Sequence, residues 1–314
     1  MALTKHPIAD LIARRGGLVI DGAMSTPLEA AGLNLNDTLW SAKALLECPD
    51  LVRKVHYDYY AAGANAVEAC SYQATEAAFA RKGIEKAEAS RLIRLSGELV
   101  REAKNDVLLE HPEWDPADLL TAGSIGPYGA YLADGSEYTG AYDLTREEYY
   151  AFHQLRLDEL LNSGMDILAI ETQPRFDEIE ALLAMIADRD ITCWVTVTLK
   201  DGDMPDGTKL EVLAKCLDAD PHVEAFGFNC VKREWVEPGL KRLSAYTDKP
   251  LVVYPNSGET YDPTTKTWHA QGVHEPDWNH YVPLWEHTGA RCIGGCCRTL
   301  PKDKIGRASC RERV

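Results

Sequence analysis

The strongest constraint on this chain is a rhythm. Eight short runs dense in Val, Ile, Leu and Ala, at 18–21, 65–71, 119–123, 166–171, 193–198, 225–230, 251–254 and 290–294, are separated by longer helix-like segments. Their apolar character is near-continuous rather than alternating, which marks strands covered on both faces, as in a parallel sheet. Helical patterns occupy 49–62, 85–110, 146–163, 175–189 and 211–217. Thr145 followed three residues later by Glu148 predicts a capping box at the start of one of them. Gly63, Gly164 and Gly289 stand where a helix must stop before the next strand. Eight strands alternating with helices within 314 residues is the count of a single-domain (β/α)8 barrel. An open doubly wound sheet is the rival, but no GxGxxG follows the first strand and no GxxxxGK[ST] occurs.

Composition removes several classes of partner. Lys and Arg total 33 against 49 Asp and Glu, a formal charge of -16. Nucleic acid and anionic membrane surfaces need the opposite sign, so neither is expected as a partner. The longest apolar stretches fall well short of the roughly 20 residues of a membrane span. The N-terminus lacks a signal-peptide core, so a cytoplasmic monomer or weak homo-oligomer is expected. Nine Cys are too dilute for a disulfide scaffold.

A barrel of this type places chemistry at the C-terminal ends of its strands. Polar clusters fall there: Asp21-Gly22 after the first run, Ser71-Tyr72-Gln73 after the second, Glu171-Thr172 after the fourth, Asn229-Cys230 after the sixth, Asn256 after the seventh and Gly294-Gly295-Cys296-Cys297 after the eighth. Only one strand separates the sixth from the eighth, so Cys230, Cys296 and Cys297 can share a cavity. Three thiolates would fill three corners of a Zn2+ tetrahedron and leave the fourth open. The Gly294-Gly295 pair permits unusual dihedrals and a close approach of the chain. Inert packing thiols, or a Cys296–Cys297 pair that oxidises, are the competing readings. Cys48, Cys70, Cys193, Cys216 and Cys292 have no comparable placement and read as core or surface thiols. Three anionic sulfurs quench a zinc ion's acidity toward water, so such a site suits an incoming substrate thiol as nucleophile.

The motifs resemble the homocysteine S-methyltransferase family, most closely its S-methylmethionine-using branch. They are DGAMSTPLEAAGLNLNDTLWSAKALLECPDLVRKVHYDYYAAGA (21–64), SYQAT (71–75), GSIGPYGAYLADGSEYTG (123–140), ETQP (171–174), GFNC (227–230), VVYPNSGETYD (252–262) and GARCIGGCCRT (289–299). The resemblance covers almost the whole chain and implies a zinc-dependent barrel methyltransferase with one Zn2+ per chain. It places the zinc ligands on Cys230, Cys296 and Cys297, and the homocysteine amino-acid group on Asp21 and Gly22. Glu171 becomes a partner for the substrate ammonium, Ser71 and Asn256 substrate contacts, and Asn229 a group orienting ligands from behind. The implied substrates are homocysteine and a sulfonium methyl donor, the product methionine. No side chain beyond the activated substrate thiol is implied as catalytic.

Each residue has a plainer reading. Asp21 could cap the following helix, Glu171 could pair with a basic side chain, and Asn256 could be a turn residue. Tyr128, Tyr131 and Tyr138 either line a donor pocket, where aromatic faces attract a sulfonium cation, or pack a lid. Trp268, His269 and His274 read as loop packing. The same scaffold could use S-adenosylmethionine or betaine as donor, or selenocysteine as acceptor. A zinc hydrolase is disfavoured by the lack of a His-rich set, and a non-catalytic zinc- or redox-sensing module is a third reading. The last ten residues, IGRASCRERV at 305–314, are expected to be a non-native tail resembling a translated sequencing adapter. Residues 1–304 would then form a barrel whose eighth helix is truncated and whose stability suffers for it.

Overall fold

The computed structural model describes residues 3, 5–258, 260–262, 267–269 and 278–303, the segments 260–262 and 267–269 in their backbone. The expected tail and His274 therefore lie outside the described residues, as do the side chains of Trp268 and His269.

The strands are β1 (Leu18–Val19), β2 (Ala66–Glu68), β3 (Leu120–Ile125), β4 (Ile167–Gln173), β5 (Cys193–Val197), β6 (Val223–Asn229), β7 (Leu251–Tyr254), β8 (Thr260–Asp262), β9 (Thr267–His269) and β10 (Ala290–Ile293). Eight of them form one sheet in the order β1-β10-β7-β6-β5-β4-β3-β2, every neighbouring pair parallel. A parallel bridge between Ile20 and Ala66 joins β1 to β2 and closes the ring. Each of the eight runs singled out in the sequence is a stave of this single-domain barrel. β8 and β9 are a short antiparallel pair in the loop after β7, which the sequence does not announce.

Helices Pro49–Ala61, Lys86–Glu110, Arg146–Asn162, Phe176–Ile186 and Leu210–Ala219 follow the expected spans closely. Thr145 and Glu148 form the full capping box. Gly63, Gly164 and Gly289 adopt φ of 103°, 78° and 101°, a left-handed conformation that ends each helix at little cost to glycine. Among the described residues, only a 3-10 turn at Pro301–Asp303 follows β10.

Two cores result. Side chains pointing outward from the strands pack under the helices, while Leu18, Ile20, Ala122, Ile167, Ala169, Trp194, Val252 and Tyr254 fill the barrel itself. An N-terminal helix, Pro7–Arg15, stops the bottom of the barrel with Ile8 and Leu11, both fully buried. Burying each such side chain contributes about 1.5–3 kcal/mol. With the bottom stoppered, the C-terminal face is the open end.

Candidate active site

A cavity of about 340 Å3 opens on that face, walled by the ends of β1, β2, β4, β6 and β10 and by the loops after them. Three acids from the ends of β1, β2 and β4 meet in it: Asp21, Glu68 and Glu171. Asp21 is 5% exposed; its Oδ2 accepts from the Glu68 backbone N–H at 3.0 Å, while its Oδ1 is buried without a partner among the described residues. Oε1 of Glu68 is likewise buried and unpartnered. Glu171 accepts hydrogen bonds from the Ser124 hydroxyl and from Asn229 Nδ2, the latter at 3.2 Å. Burial drives all three carboxyls upward, Glu171 to about 7, and the charge of Glu171 adds to the shifts of Asp21 and Glu68. Among the described residues none of the three has a Lys or Arg ion-pair partner. Buried acceptors without donors, facing one another without a counter-ion, are matched by an ammonium group, with its positive charge and three N–H donors.

Beside the acids lie Cys230, Cys296 and Cys297, whose sulfurs all fall within 4.8 Å of one another. Cys230 Sγ and Cys297 Sγ are 3.7 Å apart. Two sulfurs at ~2.3 Å from a tetrahedral ion would stand ~3.8 Å apart, so this edge already suits a metal. Cys230 and Cys296 are joined as a disulfide with Cα atoms 5.7 Å apart, and a metal would require that pair reduced. The donor set is thus all sulfur, on one side of an open cavity, which fits a thiophilic ion such as Zn2+.

The local chain explains how adjacent cysteines reach one point. Neither Gly294 nor Gly295 has positive φ; both are demanded by close approach. A Cβ on Gly294 would lie 2.7 Å from Ile20 Cβ, and one on Gly295 2.4 Å from Thr299 Oγ1. The left-handed conformations fall on non-glycine residues instead: Cys230 at φ 50° and Arg298 at 67°, with Thr172 at 56° and Trp40 at 45° elsewhere around the cavity. Such residues cost about 1–3 kcal/mol each and persist where the surroundings over-determine them. The Thr172 left-handed turn is held by Asn229, whose Oδ1 accepts from the Thr172 N–H at 2.8 Å and whose Nδ2 donates to its Oγ1 at 2.7 Å.

Of the residues singled out in the sequence, Asp21, Gly22, Glu171 and the three cysteines line one cavity. Asp21 caps no helix, since its side chain spans two strands, and Glu171 is held by Ser124 and Asn229 rather than by a basic group. Asn229 is fully buried behind the wall and orients Glu171 and Thr172, not the cysteines. Gly22 has no room for a side chain, because a Cβ would lie 2.8 Å from the Tyr59 hydroxyl and 2.7 Å from Thr299 Oγ1. Ser71 stands outside the lining, its hydroxyl donating to the Ser124 carbonyl at 2.7 Å. Asn256 also stands outside it, with its N–H on the Val231 carbonyl and its Oδ1 unpartnered. Tyr138 lines the cavity, but Tyr128 and Tyr131 pack against each other and Phe152.

Sequence reasoning missed Glu68, Trp40 and Glu137, and named Tyr72 only within the cluster after the second run; all four are in the lining. For Glu68 a signal existed: it is the only charge in an otherwise apolar and small-residue strand run.

The family profile described as "Homocysteine S-methyltransferase" matches residues 18–305. The homocysteine S-methyltransferase of Escherichia coli is 49% identical over 95% of this chain and 96% of its own length. One from Bacillus subtilis is 43% identical over 95% of each. The crystal structure of the Escherichia coli homocysteine methyltransferase in its metallated form matches with a TM-score of 0.87 and 45% identity, over 98% of this chain and all of that one. The chain belongs to the homocysteine S-methyltransferase family.

Proposed function

We propose that this chain transfers a methyl group from a small sulfonium donor, S-methylmethionine, to the thiol of L-homocysteine. The observation that carries the reading is the meeting, in one cavity, of three cysteine sulfurs with three unpaired or under-paired buried carboxyls. Asp21, Glu68 and Glu171 bind the homocysteine ammonium, and Asn229 keeps Glu171 aimed at it. Cys230, Cys296 and Cys297, reduced in a cytoplasmic compartment, hold Zn2+. Bound there, the metal supplies the Lewis acidity that lowers the pKa of an incoming thiol toward neutrality.

The homocysteine sulfur attacks the methyl carbon in line. The carbon–sulfur bond to the donor breaks, its electron pair stays on the donor sulfur, and the thiol proton leaves to solvent. With S-methylmethionine both products are methionine. An anionic sulfur and a cationic sulfonium neutralise each other in this step, so a closed site that orients them favours it. Cys297 and Asp21, 6% and 5% exposed, mark how little water reaches the floor of the cavity. Trp40 and Tyr72, in edge contact with ring centroids 6.3 Å apart, wall the donor side with aromatic faces.

The test is methionine formation from homocysteine with S-methylmethionine, S-adenosylmethionine and betaine offered separately to zinc-loaded enzyme. S-methylmethionine is expected to give the highest kcat/KM. Turnover with betaine alone would replace the donor assignment, and no methionine from any donor would overturn the reaction.

A further inference from the structure

Glu137 stands apart from the other acids of the cavity. It sits on a short lid helix, Ser136–Thr139, which packs beside β4 and lines the same cavity as Asp21, Glu68 and Glu171. Its Oε2 is buried and has no hydrogen-bond partner among the described residues. The charge of Asp134 repels it, and backbone N–H groups of Gly135 and of Glu137 itself donate to the carboxyl. Burial pushes that carboxyl up to about 7. The lid is also fixed in place: a Cβ on Gly129 would lie 2.6 Å from the Glu137 backbone N, so the helix Tyr128–Leu132 lies directly against it. Tyr72 lies close enough to both carboxylates for the charges of Glu137 and Glu171 to add to burial in keeping its phenol protonated. The cavity that holds the three cysteines therefore carries acids on two different parts of the chain, the strand ends and the lid helix.

Resting on the donor assignment above, we propose that Glu137 binds the α-ammonium of an amino-acid-type sulfonium donor. The cavity then holds two amino-acid heads at once, the acceptor's against Asp21, Glu68 and Glu171, and the donor's against Glu137, with their sulfur ends meeting at the cysteines. An ammonium supplies both the hydrogen bond that Oε2 lacks and the charge that makes ionisation favourable in a dry site. A donor bearing only a carboxylate, such as dimethylsulfonioacetate, offers Glu137 no donor and is repelled by it. Glu137 thus selects among sulfonium compounds by the group at the far end from the methyl.

The experiment compares wild type, Glu137→Gln and Glu137→Asp, zinc-loaded and at saturating homocysteine, with S-methylmethionine and with dimethylsulfonioacetate. Loss of a charge-assisted hydrogen bond predicts a ten- to hundredfold lower kcat/KM for S-methylmethionine in E137Q, about what 1.5–3 kcal/mol implies. Dimethylsulfonioacetate turnover, or its inhibition constant against S-methylmethionine if turnover is too slow, is expected unchanged or improved, which also shows that E137Q is folded. E137D is expected to recover part of the S-methylmethionine rate. An equal loss with both donors, or no loss with either, overturns the proposal. Failure of the underlying donor reading shows itself separately, as wild-type enzyme that methylates homocysteine from neither compound, and removes the proposal with it.

Discussion

Arg156 offers the sharpest test of how the site is held. It lies 1% exposed in the helix Arg146–Asn162, and burial brings its pKa down only to about 10, so it stays charged at neutral pH. Its Nη1 donates to the Tyr72 carbonyl at 2.5 Å and its Nη2 to the Gly126 carbonyl at 2.6 Å, tying together the chain beyond β2 and β3. Nη2 also donates to His153 Nδ1 at 2.7 Å, and His153 Nε2–H donates to Glu178 Oε1 at 2.8 Å. Glu178 accepts in turn from the Tyr128 N–H at 2.7 Å and the Tyr142 hydroxyl at 2.6 Å, both in the lid segment. Arg156→Met leaves two carbonyls and a ring nitrogen without donors, each costing about 1–3 kcal/mol, and strips a buried carboxylate of its nearest cation. A total of about 3–5 kcal/mol is expected, the range for breaking a buried charged pair. For a chain of 314 residues that is a fall of about 5–8 °C in Tm. Arg156→Lys keeps the charge but not the planar fork that serves two carbonyls, so an intermediate loss is expected. Urea unfolding with matched m-values provides the measurement. A loss below about 1 kcal/mol in Arg156→Met would refute the idea that this network fastens the lid to the barrel.

Cys297→Ser is expected to abolish methyl transfer and to lower zinc content measured by atomic emission from one ion per chain toward none, while Cys216→Ser leaves both intact; full activity in a metal-depleted Cys297→Ser protein would remove the ligand assignment. Gly227→Ala places a Cβ 2.0 Å from the Val252 carbonyl oxygen, so soluble folded protein is expected to be lost, and a native-like melting curve would contradict the packing of β6 against β7. Glu171 is raised from its ordinary 4.5 to about 7, so the folded, ligand-free chain holds a proton that the unfolded chain releases. Its contribution to stability is therefore full below about pH 4.5 and is lost as pH rises through about 7. Ammonium binding needs the ionised form, so calorimetry should show methionine, whose thioether does not titrate, binding more weakly as pH falls below about 7, with proton release near neutrality; affinity independent of pH between 5 and 8 would refute the role of these acids.

The barrel was legible because its strands are buried on both faces and so read as continuous apolar runs, and because Gly63, Gly164 and Gly289 mark where helices end. Helices Arg233–Leu243 and Trp278–His287 escape notice because Pro238 and Pro283 lie inside them, where propensity argues against helix. The stopper helix Pro7–Arg15 is too short for its pattern to stand out, and the lid helices are five and four residues long. Within the site, Cys296 and Cys297 stand out because adjacent thiols after paired glycines are rare, and Cys230 follows from strand counting. Glu137 is invisible in sequence, since a Glu in a polar loop usually faces water; only the packing of Gly129 against the lid turns it inward. Ser71 and Asn256 have the right position along the chain but not the right direction, which only the path of the loops decides.

The closing seam of the barrel carries a consequence of its own. β1 is two residues long, and between it and β2 the ring depends on the Ile20–Ala66 bridge, the main-chain hydrogen bonds Asn65 N–H to Val19 and Asp21 N–H to Ala66, and two side-chain links. In one, Asn65 Oδ1 accepts from the Val19 N–H; in the other, Asp21 Oδ2 accepts from the Glu68 N–H. On the proposed function, Asp21 is thus both a hand extended to a ligand and the latch on the last stave. Whatever grips its free oxygen also steadies the latch, so the hoop is tightest when the vessel is full and loosest when it is empty.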